Sequence, residues 1–358
     1  MVVRQARVGA RVSIRLRQLA AWLAAAVLLA ASAAVPARQP SVESRDFKVP
    51  AKDAGIELLV RNRSIGWTKS MPARRVVLFV HGATFPASST FGTGLPVAGG
   101  GDWMSFVATR GFDVYSLDIR GYGGSTRPAA MSQPPESNPP FAGTREAVRD
   151  ISAAVDFIRA RGGVAKLMLI GWSWGTTTTA AYAAENPEKI DKLVLVAPVW
   201  LGVRPQPYEG AYRTSTHESA RAFAIAGLPK ERVDEISPLA SFDAWWAATL
   251  ATDPEGAARS PPVVRSPNGV MQDFNDAWAA GSPTYDPAKI RAPTLLIVGD
   301  WDAITPPSMA QGLYSKLVNV RDRRLILLSE GTHFMPIEKH RMRLIQEVQN
   351  FLDEVPGE

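Results

Sequence analysis

The run Gly171-Trp172-Ser173-Trp174-Gly175 sets a serine between two glycines. The apolar stretch Lys166 to Ile170 before it reads as a buried strand, and Thr176 to Glu185 after it reads as a helix ending near Asn186-Pro187. A serine at so tight a strand-to-helix turn is a nucleophile elbow. Side chains at the flanking positions would clash, so those positions are glycine, and the strained serine backbone pushes its hydroxyl out above the sheet. The N-terminus of the following helix points at the same spot, where negative charge is favoured.

A serine hydroxyl needs a base before it attacks at neutral pH. The sequence offers four histidines. His81 directly follows an apolar run and reads as buried and structural; His217 lies in an irregular stretch; His340 sits among Lys339, Arg341 and Arg343 on a solvated helix face. His333, in Gly331-Thr-His-Phe-Met335, follows the last apolar run on a loop placed to reach a serine above the sheet. The base in turn needs a carboxylate that fixes its tautomer. Asp300 and Asp302 both follow the strand Thr294 to Val298. Asp302 lies farther out, where the loop can bend toward a histidine, and Asp300 is placed to cap the loop backbone. An oxyanion also needs donors. The elbow supplies the Trp174 amide, and the loop after His81-Gly82 supplies that of Ala83, with Thr84 as the alternative.

These residues are spread over an alternation of strands and helices. Phe47 to Val49 and Ile56 to Arg61 read as opening strands, followed by strands at Arg75 to Val80, Asp113 to Asp118, Leu193 to Ala197, Thr294 to Val298 and Arg324 to Leu328. Asp102 caps a helix to about Thr109; Thr144 to Arg161 has apolar residues at helical spacing; Pro336 to about Asp353 closes the chain as a helix. Pro86 to Gly101 and Pro128 to Pro140 are loops. Such alternation predicts a mostly parallel sheet covered by helices on both faces. Its carboxyl edge would gather His81, Asp118, Ser173, Asp302 and His333. Between Trp200 and about Tyr285 the alternation gives way to short helix-like pieces, prolines and the large aromatics Trp200, Tyr208, Tyr212, Phe223, Trp245, Trp246 and Trp278.

Composition is that of a globular enzyme, 46% hydrophobic and 21% charged. The net charge of +6 is a property of one end: Arg4, Arg7, Arg11, Arg15 and Arg17 face no acid in residues 1–37, and removing those five cations leaves +1. The basic balance therefore gives no support to nucleic-acid binding. The same segment reads as a secretory signal, with an Arg-rich start, an apolar run from Leu19 to Ala31 and cleavage after Ala33, Ala34 or Ala37. The run is short for a membrane span, so a periplasmic or secreted protein is expected, without stable membrane insertion of the mature chain; an uncleaved N-terminal anchor is the alternative. With no cysteine there is no lipoprotein anchor, disulfide or thiol catalysis. No metal or cofactor is expected, since the histidines are scattered and the Gly-rich stretches lack a P-loop lysine.

Taken together, His81-Gly-Ala83, Asp118-Ile-Arg-Gly-Tyr-Gly-Gly-Ser125, Gly171-Trp-Ser-Trp-Gly175, Gly299-Asp-Trp-Asp302 with Pro306, and Gly331-Thr-His333 resemble the α/β-hydrolase superfamily over about residues 46–353. Ser173, Asp302 and His333 follow one another in that family's chain order. The resemblance implies an aspartate three residues after the glycine and four before the proline as the acid, which selects Asp302. It also implies a lid after the sixth strand. The organisation is then a signal peptide at 1–37, a linker at 38–45, core at 46–199 and 289–358, and a helical lid at 200–288.

The implied activity is a cofactor-independent serine hydrolase acting on carboxylic esters of a small molecule with an apolar or aromatic group. The Asp118 and Trp-Ser-Trp-Gly motifs are also similar to those of proline iminopeptidases, although His81-Gly-Ala-Thr84 stands where those enzymes have His-Gly-Gly-Pro. A peptidase or amidase would need acids such as Glu209, Glu218 or Glu231 to hold a substrate amine. A non-catalytic binding protein on the same scaffold is the third reading. Trp174 is expected beside the oxyanion site, narrowing the acyl side, with Trp172 packed below the elbow; Arg120 is expected in a structural ion pair.

Overall fold

The parallel strands bury both faces. In β3 (Val76–Val80), Val76, Leu78 and Val80 point into one apolar cluster, while Val77 and Phe79 point into another. The period of two repeats in β5 (Leu167–Trp172), where Leu167 and Leu169 face the first cluster and Met168, Ile170 and Trp172 the second. A computed structural model of the chain describes residues 41–66, 75–92, 101–202 and 204–355. The expected signal segment, the first residues of the expected linker and part of the loop before Gly101 lie outside the described residues.

Eight strands form the central sheet in the order β1-β2-β4-β3-β5-β6-β9-β10. Besides β3 and β5 these are β1 (Glu43–Pro50), β2 (Glu57–Ser64), β4 (Asp113–Asp118), β6 (Ile190–Val196), β9 (Thr294–Gly299) and β10 (Arg323–Leu328). The pairs β1–β2 and β2–β4 are antiparallel and the rest parallel. One face carries the helices Thr144–Gly162, Trp174–Glu185 and Pro307–Lys316, with Ile151, Val155, Tyr182 and Leu313 buried in the first cluster. The other carries Trp103–Ala108 and Arg341–Asp353, with Phe106, Leu344, Val348 and Leu352 in the second. Asp102 caps the short helix as expected, its carboxylate accepting from the Ser105 amide at 2.9 Å.

Two boundaries differ from the sequence reading. Strand β1 begins at Glu43, inside the stretch read as linker, because its first residues are exposed at a sheet edge and carry no apolar alternation. The closing helix begins at Arg341. The segment before it is a single tight turn at Met335–Ile337, after which Glu338 is extended (φ −75°, ψ 166°) and turns its carboxylate inward to the Thr332 hydroxyl.

Residues between β6 and β9 contain helices such as His217–Ala224 and Leu239–Leu250, together with a ribbon of two antiparallel strands, β7 (Tyr212–Thr216) and β8 (Val263–Pro267). Several of the aromatics here pack against core residues or one another. Trp245 meets Phe85 at 4.7 Å and Phe334 at 5.7 Å between ring centres, and Trp200 meets Tyr285 at 5.7 Å.

Candidate active site

Ser173 sits between the end of β5 and the first turn of the Trp174–Glu185 helix with φ 55° and ψ −125°. That region is sparsely populated for a residue with a side chain and costs on the order of 1–3 kcal/mol. The glycines make it attainable. A Cβ on Gly175 would lie 2.5 Å from the carbonyls of Val80 and His81, and one on Gly171 would strike the Gly175 backbone. The elbow therefore presses against the end of β3, and Ser173 is 8% exposed.

His333 comes from the loop after β10. Its Nε2 lies 2.9 Å from Ser173 Oγ and its Nδ1 lies 2.9 Å from Asp302 Oδ2. A carboxylate only accepts, so Nδ1 carries the proton and Nε2 is left to accept from the serine. Asp302, on the loop after β9, is fixed from behind: Oδ1 accepts from the Ile304 and Thr305 amides at 2.9 and 2.7 Å, and Oδ2 from the Thr305 hydroxyl at 2.8 Å. His333 and Asp302 are almost fully buried, so their polar contacts act in a low-dielectric setting. Asp300 does what its position suggested and caps the loop, accepting from the Glu330 amide at 2.7 Å.

Trp174 follows Ser173 in the chain, and Gly82, just before Ala83, packs against the serine side chain; among the described residues no acceptor is found for the Ala83 or Trp174 amide. The peptide planes around Ala83 are set by their carbonyls. His81, fully buried, takes the Ile119 amide on Nε2 at 3.1 Å and so donates from Nδ1 to the Gly82 carbonyl at 2.7 Å. Because N–H and C=O oppose each other in a trans peptide, this turns the Ala83 N–H away from His81. Burial also holds the His81 pKa below its ordinary value, which keeps that ring neutral. The Ala83 carbonyl accepts from the Tyr122 hydroxyl at 2.7 Å and from Arg213, and the Thr84 carbonyl from Ser266 at 2.7 Å.

The two tryptophans exchange their expected places. Trp172, the last residue of β5, falls on the same face as Met168 and Ile170, lines the cavity above the serine, and donates to the His333 carbonyl at 3.0 Å. Trp174 opens the helix and drops into the opposite cluster, donating to Thr144 Oγ1 at 3.2 Å. Strand alternation decides the first and helix direction the second. The other expected roles fall out simply. Arg120 is ion-paired with Asp150 (Nε to Oδ2 3.0 Å) and Asp53; His217 pairs with Asp243 at 2.8 Å on the surface; His340 faces Glu330 at 4.0 Å.

Thr305, Tyr122, Arg213 and Glu338 are supporting residues that the sequence reading missed. Only Thr305 had a local signal, three residues after Asp302, the spacing at which a hydroxyl turns back on a capping carboxylate. A cavity of about 880 Å³ opens over Ser173 and His333. Its walls come from the core loops, through Ala83, Trp172 and Thr305, and from the insertion, through Arg213, Phe223 and Phe274. Of the insertion aromatics singled out in the sequence, Phe223 lines it.

The alpha/beta hydrolase fold family matches residues 75–340. A proline iminopeptidase of Neisseria meningitidis serogroup B is 25% identical over 264 residues, which is 66% of this chain and 80% of that one. A pimeloyl-[acyl-carrier protein] methyl ester esterase of the same species is 29% identical over 190 residues, 51% of this chain and 68% of its own. Among solved structures, a serine hydrolase from the polyaromatic hydrocarbon-degrading bacterium Cycloclasticus zankles superposes with a TM-score of 0.58 at 14% identity, covering 89% of this chain and all of that one.

Proposed function

The chain belongs to the alpha/beta hydrolase fold family, and on that premise we propose that it is a serine hydrolase that cleaves carboxylic esters through an acyl-enzyme. The observation that carries the reading is the unbroken row Ser173 Oγ, His333, Asp302, with both links at 2.9 Å. Ser173 Oγ attacks the ester carbonyl carbon as His333 Nε2 takes its proton, and Asp302 steadies the imidazolium. The carbonyl oxygen, now negative, rests on the Ala83 and Trp174 amides. As the carbonyl re-forms, the bond to the alcohol oxygen breaks and His333 returns the proton to it. Water then attacks the acyl carbon as His333 takes its proton; when the acyl–Oγ bond breaks, His333 returns that proton to Ser173 Oγ and the acid is released.

Phe85, Trp172, Phe223, Phe274 and Met271 in the cavity wall support an apolar or aromatic part of the substrate, and the insertion is read as a lid over it. Ester is favoured over peptide by charge. Glu209, Glu218 and Glu231 are exposed, and among the described residues no carboxylate lines the cavity to hold a substrate amine. Export rests on residues 1–37, and among the described residues no helix is long and apolar enough to cross a membrane.

The test is Ser173→Ala assayed on short nitrophenyl esters. Turnover should fall by on the order of 10³ or more, and a fluorophosphonate probe should label wild type and not the variant. Undiminished turnover in purified, folded Ser173→Ala would end the proposal. An amino-acid arylamide turned over faster than the matching ester would replace it with the peptidase reading.

A further inference from the structure

Among the described residues, two of fixed charge line the cavity, and both are arginines, Arg204 and Arg213. Arg213 lies on β7 with its guanidinium turned to neutral groups: Nη1 donates to the Pro267 carbonyl at 2.6 Å, and Nη2 to Thr84 Oγ1 at 3.2 Å and the Ala83 carbonyl. Among the described residues neither arginine has a carboxylate within ion-pair distance, and the Arg204 guanidinium has no hydrogen-bond partner at all. Arg204 is exposed and Arg213 is half-buried. Deeper in the molecule, Arg120 holds Asp53 and Asp150, Arg265 holds Asp253 at 2.6 Å, and Arg63 holds Asp102 at 2.5 Å. Burial depresses the Arg213 pKa, with only the Tyr122 phenol opposing it.

Two cations without a counter-charge on the cavity wall leave a positive potential in the cavity. The potential has no structural use, since carbonyls could be braced by a neutral donor. It does have a use for a bound anion, which would restore the missing counter-charge. The arginines are not equivalent. Arg213 has both terminal nitrogens committed to the oxyanion loop and the ribbon, so it contributes fixed charge. Arg204 keeps its planar fork, which matches a single carboxylate through two parallel hydrogen bonds.

Building on the ester-hydrolase reading, we propose that the substrate is an anionic ester, one that carries an ionised carboxylate besides the ester group, with the Arg204 fork taking the carboxylate and the Arg213 charge supplying attraction from the inner wall. Such a substrate is a half-ester of a dicarboxylic acid.

The experiment compares monomethyl glutarate with dimethyl glutarate, which differ by one methyl group and one charge, following methanol release by wild type, Arg204→Gln, Arg204→Glu and Ser173→Ala. Wild type should prefer the half-ester in kcat/KM by about tenfold, the low end for a hydrogen bond to a charged group. The preference should shrink in Arg204→Gln, where the Arg213 charge remains, and be lost in Arg204→Glu. It should shrink in wild type as salt is raised from about 0.05 to about 0.5 M, as screening requires. A wild-type enzyme that prefers the diester, or a preference that survives in Arg204→Glu, overturns the proposal while leaving ester hydrolysis intact. Hydrolysis of neither ester by wild type, or equal hydrolysis by Ser173→Ala, would instead break the underlying reading.

Discussion

Asp302 is held by four donors, and the one with the most leverage on His333 is the Thr305 hydroxyl. It lies 2.8 Å from Asp302 Oδ2 and 3.1 Å from His333 Nδ1, and its third neighbour is the Ala197 carbonyl at 3.1 Å. The hydroxyl thus defines where the outer carboxylate oxygen sits, and through it the plane of the imidazole. Replacing Thr305 with valine keeps the shape and removes the donor. Losing one such bond is worth about 1 kcal/mol, so kcat should fall about fivefold with KM little changed, read from initial rates on a nitrophenyl ester. If kcat stays at the wild-type value, the hydroxyl has no part in aligning the row. This scale was only partly legible in the sequence. Ser173 stands out because it follows a strand between two glycines, and His333 because it lies on a loop after the last strand, where His81 reads as buried and structural. The spacing of Thr305 from Asp302 signals the contact between them, but the reach of its hydroxyl to His333 and to the Ala197 carbonyl depends on how the loops fold back, which no local pattern reports. The exchange of Trp172 and Trp174 has the same origin, because alternation along β5 says that Trp172 and Ile170 share a face without saying which face lies under His333.

Elements position the Ala83 amide, the proposed oxyanion donor, from two directions. The loop after β4 sends the Tyr122 hydroxyl to the Ala83 carbonyl at 2.7 Å, and β8 of the ribbon sends the Ser266 hydroxyl to the Thr84 carbonyl at 2.7 Å. Neither group touches the cavity's reacting atoms, so each acts by fixing the backbone of residues 83–84. Tyr122→Phe and Ser266→Ala should each lower kcat several-fold at nearly constant KM, and the double variant should lose more than either, up to the order of 10² known for removal of a whole oxyanion donor. Thermal unfolding measured alongside separates this from general destabilisation; a KM increase with unchanged kcat would mean that the loop shapes binding and not the transition state. The central sheet itself was readable, since β3 and the main parts of β5, β6 and β9 are apolar runs, and β4 alternates Val114, Tyr115 and Leu117 with polar residues. The ribbon was hidden. Tyr212–Thr216 is polar at four of five positions, its partner Val263–Pro267 lies far along the chain, and strand pairing of that kind leaves no periodic trace.

At the scale of the whole molecule, one buried acid ties folding to pH. Glu338 is 1% exposed, underneath the loop that carries His333, and its carboxyl accepts from the Thr332 hydroxyl. Burial drives its pKa up to about 7 from an ordinary 4.5, with the Asp302 carboxylate adding to the rise and the Thr332 contacts opposing it. The folded chain therefore binds this proton more tightly than the unfolded chain. Its contribution is fully present below about pH 4.5, where both states are protonated, and is lost progressively as pH rises to about 7, where the folded carboxyl also ionises. The full span is on the order of 3 kcal/mol, from 1.36 kcal/mol for each pH unit between those two values. This cost falls on the same loop that delivers the imidazole, so the region should loosen first as the solution becomes neutral. Glu338→Gln keeps the hydrogen-bond acceptor and removes the titration. Denaturant unfolding of wild type and Glu338→Gln from pH 5 to 8 should give curves that separate with rising pH, wild type losing stability relative to the variant until about pH 7 and running parallel to it beyond. Curves that stay parallel throughout would mean that Glu338 is ionised in both states and that its burial is offset locally.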